Sequence, residues 1–227
     1  LGWNHCRPVP TGQTTFGPII YDLNKPTVEL VVKKASPYGE KIGEIVGVIP
    51  DTGMEAKFSK LMDTGTVKGI KLIAVKNNLN QKIYEEVPLG FEWEGSTKTV
   101  ITPKSELKKN YIYKIEVTTG TTGVKDLSGN TVKGERELIF RTIMDHTKKN
   151  IVVKASNEKL MVTLEKNALK EDGYLIINTE PLNYQFDVNL GAIKVANEKS
   201  LRDGWYSAEG CLWEIKACKE NGDWIRD

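Results

Sequence analysis

The side chains able to do chemistry are few in this chain, and their spacing does not assemble a familiar centre. Only two histidines occur, His5 and His146, each beside polar residues that suit solvent. No HExxH metal motif, no nucleophile on a strand-turn-helix elbow and no glycine-rich phosphate loop is present. Carboxylates stand in adjacent pairs at Glu85-Glu86 and Glu171-Asp172, and neighbouring acids in polar turns are ordinarily solvated. A glycosidase would need two acids facing each other across a groove. Asp126 and Asn130 are candidate oxygen ligands for Ca²⁺. With so few acids in that loop, the favoured expectation is an Asx turn with no metal and no cofactor.

The three cysteines invite a geometric test. From Cys211 to Cys218 the alternation puts Cys211, Trp213, Ile215 and Ala217 on an apolar face and leaves Cys218 with Glu214 and Lys216 on the polar one. Seven residues of strand separate the two sulfurs by roughly 23 Å, whereas a disulfide needs Cα atoms within about 7 Å. On one strand they do not pair. Cys6 could then reach solvent-facing Cys218 and fasten the N-terminal segment to the end of its own or another chain. The alternatives are three free thiols, with Cys211 a small core residue, or a turn that lets Cys211 and Cys218 close.

Aromatic rings gather near the C-terminus at Trp205, Tyr206, Trp213 and Trp224. Exposed rings at Trp205, Tyr206 and Trp224 would make a platform for stacking on sugars. The competing expectation is that such rings are core or interface anchors.

The elements that must position these residues read as strands. Tyr111, Tyr113, Ile115 and Val117 alternate with Ile112, Lys114 and Glu116, the period of a half-buried strand. The same alternation recurs at Val28-Leu30-Val32, Met54-Ala56-Phe58, Ile70-Leu72-Ala74, Phe91-Trp93, Leu160-Val162-Leu164 and Tyr184-Phe186-Val188-Leu190. Pro50-Asp51-Thr52-Gly53 and Asn77-Asn78-Leu79-Asn80 supply turns between them. Strands every ten or so residues predict a sandwich rather than βαβ units. Asn167–Gly173 leaves room for one helical turn at most. Ahead of all this lies a polar segment, Leu1–Gly17, then a short alternation at Ile19, Tyr21 and Leu23. An ordered arm with no core of its own must lie on its own domains, on a neighbouring copy or on a crystal contact, and a strand there could pair with an open sheet edge.

Length and charge narrow the classes. At 227 residues the chain suits two small domains. Thirty-two Lys and Arg against thirty Asp and Glu leave a formal charge of +2, which argues against a nucleic-acid partner. No apolar run approaches the roughly 20 residues that span a bilayer, and a secreted protein would be seen here in mature form.

Five pieces in order carry a resemblance: Phe58-Ser59 with Met62-Asp63, Thr102-Pro103, the Leu107-Tyr111-Tyr113-Ile115-Val117 series, Asp126 with Gly129-Asn130, and Phe140 with Thr142. Together they resemble the bacterial Ig-like domains of S-layer and other cell-surface proteins, from about Pro26 to Thr142. The resemblance implies an Ig-like β-sandwich, extracellular, acting as a non-catalytic spacer or assembly unit.

The expected architecture is therefore all-β: an arm over residues 1–24, an Ig-like sandwich over 25–145 and a second β-sandwich over 146–227, with Asp145–Asn150 as linker. The expected function is that of a non-enzymatic, self-associating subunit of a cell-surface layer or filament, its N-terminal strand joining copies. The alternative is a carbohydrate-binding or adhesive module of a larger secreted enzyme or adhesin, with cell-wall glycans as partners.

Overall fold

The structure, a computed structural model, describes residues 23–36, 45–155, 160–178 and 214–225. Nine described strands between Val28 and Thr142 form two sheets. The first joins β1 (Val28–Val32), β3 (Met54–Phe58), β7 (Lys98–Pro103) and β6 (Leu89–Glu94), all antiparallel. The second runs β2 (Ile45–Val48), β9 (Glu137–Thr142), β8 (Ile112–Val117), β4 (Ile70–Lys76), β5 (Lys82–Val87), antiparallel except for the parallel β2–β9 pair.

The period-two pattern explains why these sheets face each other. Met54, Ala56 and Phe58 of β3 are buried opposite Ile70, Leu72 and Ala74 of β4 and Tyr113, Ile115 and Val117 of β8, and together they form one core. Tyr113 stacks on Phe140 at 5.6 Å between ring centroids. Its hydroxyl accepts a bond from the Lys108 N–H at 2.8 Å, and burial pushes the phenol up to about 12. The Asn77–Asn80 hairpin forms as expected: Asn77 Oδ1 accepts from the N–H groups of Leu79 and Gln81, and Asn80 takes φ 57°. A short 3-10 helix, Thr64–Gly69, has no counterpart in the sequence reading; Asp63 caps it by accepting from Gly65 N at 3.0 Å.

The second half pairs β10 (Ile151–Lys154) with β11 (Met161–Leu164) and β12 (Gly173–Asn178) with β13 (Glu214–Lys219). All six residues of β12 are buried. Leu175 and Ile177 on one side join Met144, Ile151, Val153, Ala155 and Leu169. Tyr174 and Ile176 on the other join Val46 and Ile143, which extend from the sandwich. A strand with both faces covered reads as a continuous apolar run, as Tyr174–Ile177 does.

That placement corrects the expected phase of β13. Cys218 does not face solvent: it pairs with Tyr174 across the ladder and is 0% exposed, inside the cluster with Val46 and Ile143. Ile215, expected on the apolar face, is instead 47% exposed. The reason is physical: the face judged polar from Lys216 abuts the sandwich, so burial there follows tertiary contact and not local alternation.

Candidate functional site

A network of polar and ionisable contacts lies where the second half seats on the sandwich. Asp145–Asn150, expected as a plain linker, is pinned within it. Met144 and Gly173 exchange backbone bonds, Met144 N to Gly173 O at 2.6 Å and Gly173 N to Met144 O at 3.3 Å. Asp172 then sits beside the sandwich loop ahead of β8, where Lys109 Nζ donates to its Oδ2 at 2.5 Å. Its Oδ1 accepts from the His146 N–H at 3.0 Å and lies 2.6 Å from His146 Nδ1, a contact made by the tautomer that carries its proton on Nδ1. Partial burial works to raise the Asp172 carboxyl, but the Lys109 ammonium and the His146 bonds outweigh it and hold the group at about 2. Lys109 is raised in turn by the hydrogen bond to Asp172. Asp145 is lowered, chiefly by the Thr147 hydroxyl bonded to its Oδ1 at 2.6 Å.

Asp145, His146 and Asp172 place ligand-type atoms within 4.8 Å of one another. That is the donor chemistry of a divalent metal set, yet Asp172 already has an ammonium on one oxygen and His146 on the other. The arrangement works as an ion-pair network that ties the residue before β12 to the loop before β8.

An apolar seam runs beside the polar one. Tyr174 is buried and its hydroxyl donates to Ser36 Oγ at 2.6 Å, across 138 residues of sequence. Its ring lies over Gly47, which has φ +67°; a Cβ there would stand 2.7 Å from two ring carbons. Gly173 is tighter still, since a Cβ would lie 2.2 Å from the Cys218 carbonyl oxygen. Asn110 Nδ2 and Val152 N both donate to Asn78 O at 3.0 Å, drawing the β4–β5 hairpin into the same junction.

The residues singled out from sequence fall in different places. Asp126 is 4% exposed: Oδ1 accepts from Ser128 N at 2.9 Å and Asn130 N at 2.8 Å, and Oδ2 from Asn130 Nδ2 at 3.0 Å. This is an Asx turn that fixes the loop, with Gly129 at φ +83° supplying the left-handed residue. Trp224 is half-buried, bridged to Cys218, with Lys216 Nζ 3.7 Å from the ring centroid, so an ammonium covers one face of the ring. The Cys218 thiol is unbridged and burial pushes its pKa up, which disfavours the reactive thiolate. Leu23 is 83% exposed. Cys6, Ile19, Tyr21, Trp205, Tyr206 and Cys211 lie outside the described residues, as does the alternation at Tyr184–Leu190.

The contacts that sequence reading did not bring together are Lys109, His146 and Asp172. Lys109 and Asp172 are 63 residues apart, and nothing local marks either. The one available signal was Gly173 closing the polar stretch, which places Asp172 at a strand start.

Comparison with known proteins gives a sequence-family match over residues 27–142, to the family described as Bacterial Ig-like domain. Solved structures similar to it include two of one S-layer protein. One is the N-terminal part of the bacterial S-layer protein SbsC, at 16% identity and TM-score 0.31, covering 68% of this chain and 35% of that one. The other is surface layer protein SbsC, domains 1-6, at 17% identity and TM-score 0.30, covering 69% and 20%. This chain thus spans about a third or a fifth of the length of those structures. No curated protein matches it. No helix among the described residues is long and apolar enough to cross a membrane.

Proposed function

The chain belongs to the bacterial Ig-like domain family, and from that premise we propose that it is a non-catalytic structural module of the cell surface. Its role is that of a spacer and assembly unit in a layer or filament, in which the N-terminal strand joins copies. One observation carries this reading: the junction at Lys109, His146, Asp172, Tyr174 and Cys218 fastens the second half to the sandwich through both an ion-pair network and a buried apolar seam. A load-transmitting unit needs such a junction, because relative motion is the default for domains joined by small polar interfaces. The conspicuous ionisable groups serve the same end. Asp126 closes a turn, Asp172 clamps the junction, and Cys218 fills the seam.

The test is the assembly state of the purified full chain. Electron microscopy and sedimentation over a wide concentration range should show ordered sheets or filaments with intact N-termini. Particles that stay monomeric at every concentration would remove the assembly role.

A further inference from the structure

A sandwich meets other chains most readily at its sheet edges, where a strand presents a row of backbone groups with no ladder partner. Among the described strands the edges are β1 and β6 in one sheet and β2 and β5 in the other. Two of them are closed on their own molecule. Lys133 N donates to Pro26 O at 2.8 Å ahead of β1, and past its end Ser36 N donates to Val46 O at 2.9 Å and Ile49 N to Lys34 O at 3.3 Å. These bonds tie β1 to β2, and the Tyr174 ring then covers Gly47 of β2. At the opposite ends of the sheets the chain crosses from β5 to β6 through Pro88, and among the described strands none pairs with the outer side of either.

The two open edges differ in charge. Leu89, Phe91 and Trp93 of β6 pack on the core, which leaves Glu92 and Glu94 outside, so two copies of β6 side by side would set acid against acid. On β5, Ile83 and Val87 pack on the core, while Lys82, Tyr84 and Glu86 are exposed, with opposite charges at the two ends. Tyr84 is 72% exposed, more than any other large hydrophobic side chain on a described strand; Ile139 and Met161 follow at 57%. The register with β4 shifts across Ile83 and Tyr84, so neither is matched to a β4 residue, the kind of irregularity that turns a side chain out of a sheet.

From this pattern we infer that β5 is a contact surface for a second copy of this chain, the two strands running antiparallel with Tyr84 against Tyr84. In that register each Lys82 stands opposite Glu86 of the second copy, a favourable cross-strand pair made twice. Ile83 falls opposite Glu85, whose oxygens already accept from Lys108 Nζ at 2.7 and 2.8 Å, so no bare charge meets it. A second copy suits this edge better than an unrelated peptide because one strand supplies both halves of the charge match, as a two-fold contact requires. Backbone bonds between the edges then join two five-stranded sheets into one. This contact is distinct from the N-terminal strand of the assembly proposed above and stands without it.

The experiment is sedimentation of the full chain over a wide concentration range, with charge reversal on β5. Lys82→Glu and Glu86→Lys should each lower the pairwise association constant about tenfold, since each turns two attractive pairs into repulsive ones. The double reversal Lys82→Glu, Glu86→Lys should restore it, and Glu92→Lys on β6 should leave it unchanged. Tyr84→Cys, treated with oxidised glutathione, should yield a disulfide-linked pair that peptide mapping places at position 84. Opposed Cα atoms in an antiparallel ladder lie about 4.5–5.5 Å apart, within the reach of about 7 Å that a disulfide allows. A chain that stays monomeric throughout, single reversals without effect, a double reversal that fails to restore association, or no link at position 84 would each overturn the inference. Sheets or filaments that form regardless of the β5 variants would remove this contact and leave the assembly reading standing; pairs that respond to the variants but grow no further would do the reverse.

Discussion

The sandwich core and the junction hold by different means. The core between β3, β4, β8 and β9 is predominantly apolar, and large members such as Tyr113, Phe140, Met54 and Leu72 are fully buried. The junction is mixed: Tyr174, Ile176 and Cys218 pack on Val46 and Ile143, while Lys109, His146 and Asp172 bond beside them. Apolar burial is non-directional and tolerates repacking. Ion pairs and a ring laid over a glycine demand one geometry. The core therefore makes the fold stable, and the junction makes the relation between its halves specific.

That difference can be broken from the core side first. Phe140→Ala empties a site stacked on Tyr113 and should cost about 3–5 kcal/mol, seen as a lower denaturant midpoint for the whole chain. Gly47→Ala acts on the junction instead. It strains a residue at φ +67° and drives a methyl into the Tyr174 ring, so it should cost about 2–3 kcal/mol. Amides of β12 should lose exchange protection more than those of β8.

Smaller changes sharpen the comparison. Tyr174→Phe removes the buried hydroxyl bond to Ser36 Oγ and should cost about 1–2 kcal/mol by thermal melting. Asp172→Asn should cost about 1–2 kcal/mol at neutral pH, after allowance for its partial exposure. Its pH dependence has a definite sign. The folded carboxyl is depressed to about 2 from 3.8, so its contribution is complete above 3.8 and is lost as pH falls through 2. In the Asn variant that acid-dependent loss should disappear from the pH–stability curve. Tyr84→Ser, on the exposed edge strand β5, should stay within about 0.5 kcal/mol of the parent.

The two regions also differ in how legible they are from sequence. Tyr113, Ile115 and Val117 announce their face by alternation, as do Met54, Ala56 and Phe58, because one side of each strand is wet. The Ig-like order of short pieces from Phe58 to Thr142 was readable for the same reason. The junction was not. β12 is buried on both faces and offers no alternation to read, and β13 lies against it, so the local phase placed Cys218 on the wrong side. Lys109 and Asp172 meet only through the tertiary fold, 63 residues apart. The Asx turn at Asp126 was legible because its donors lie within four residues.

The central claim is that the second half is fastened to the sandwich and does not open independently of it. Native-state hydrogen exchange tests this most directly, by comparing the amides of Leu175, Ile176 and Ile177 in β12 with those of Tyr113 and Ile115 in β8. The account expects both sets to exchange through the same opening, with equal protection and equal response to low denaturant. Much faster exchange in β12, unaffected by Gly47→Ala and Asp172→Asn, would contradict it.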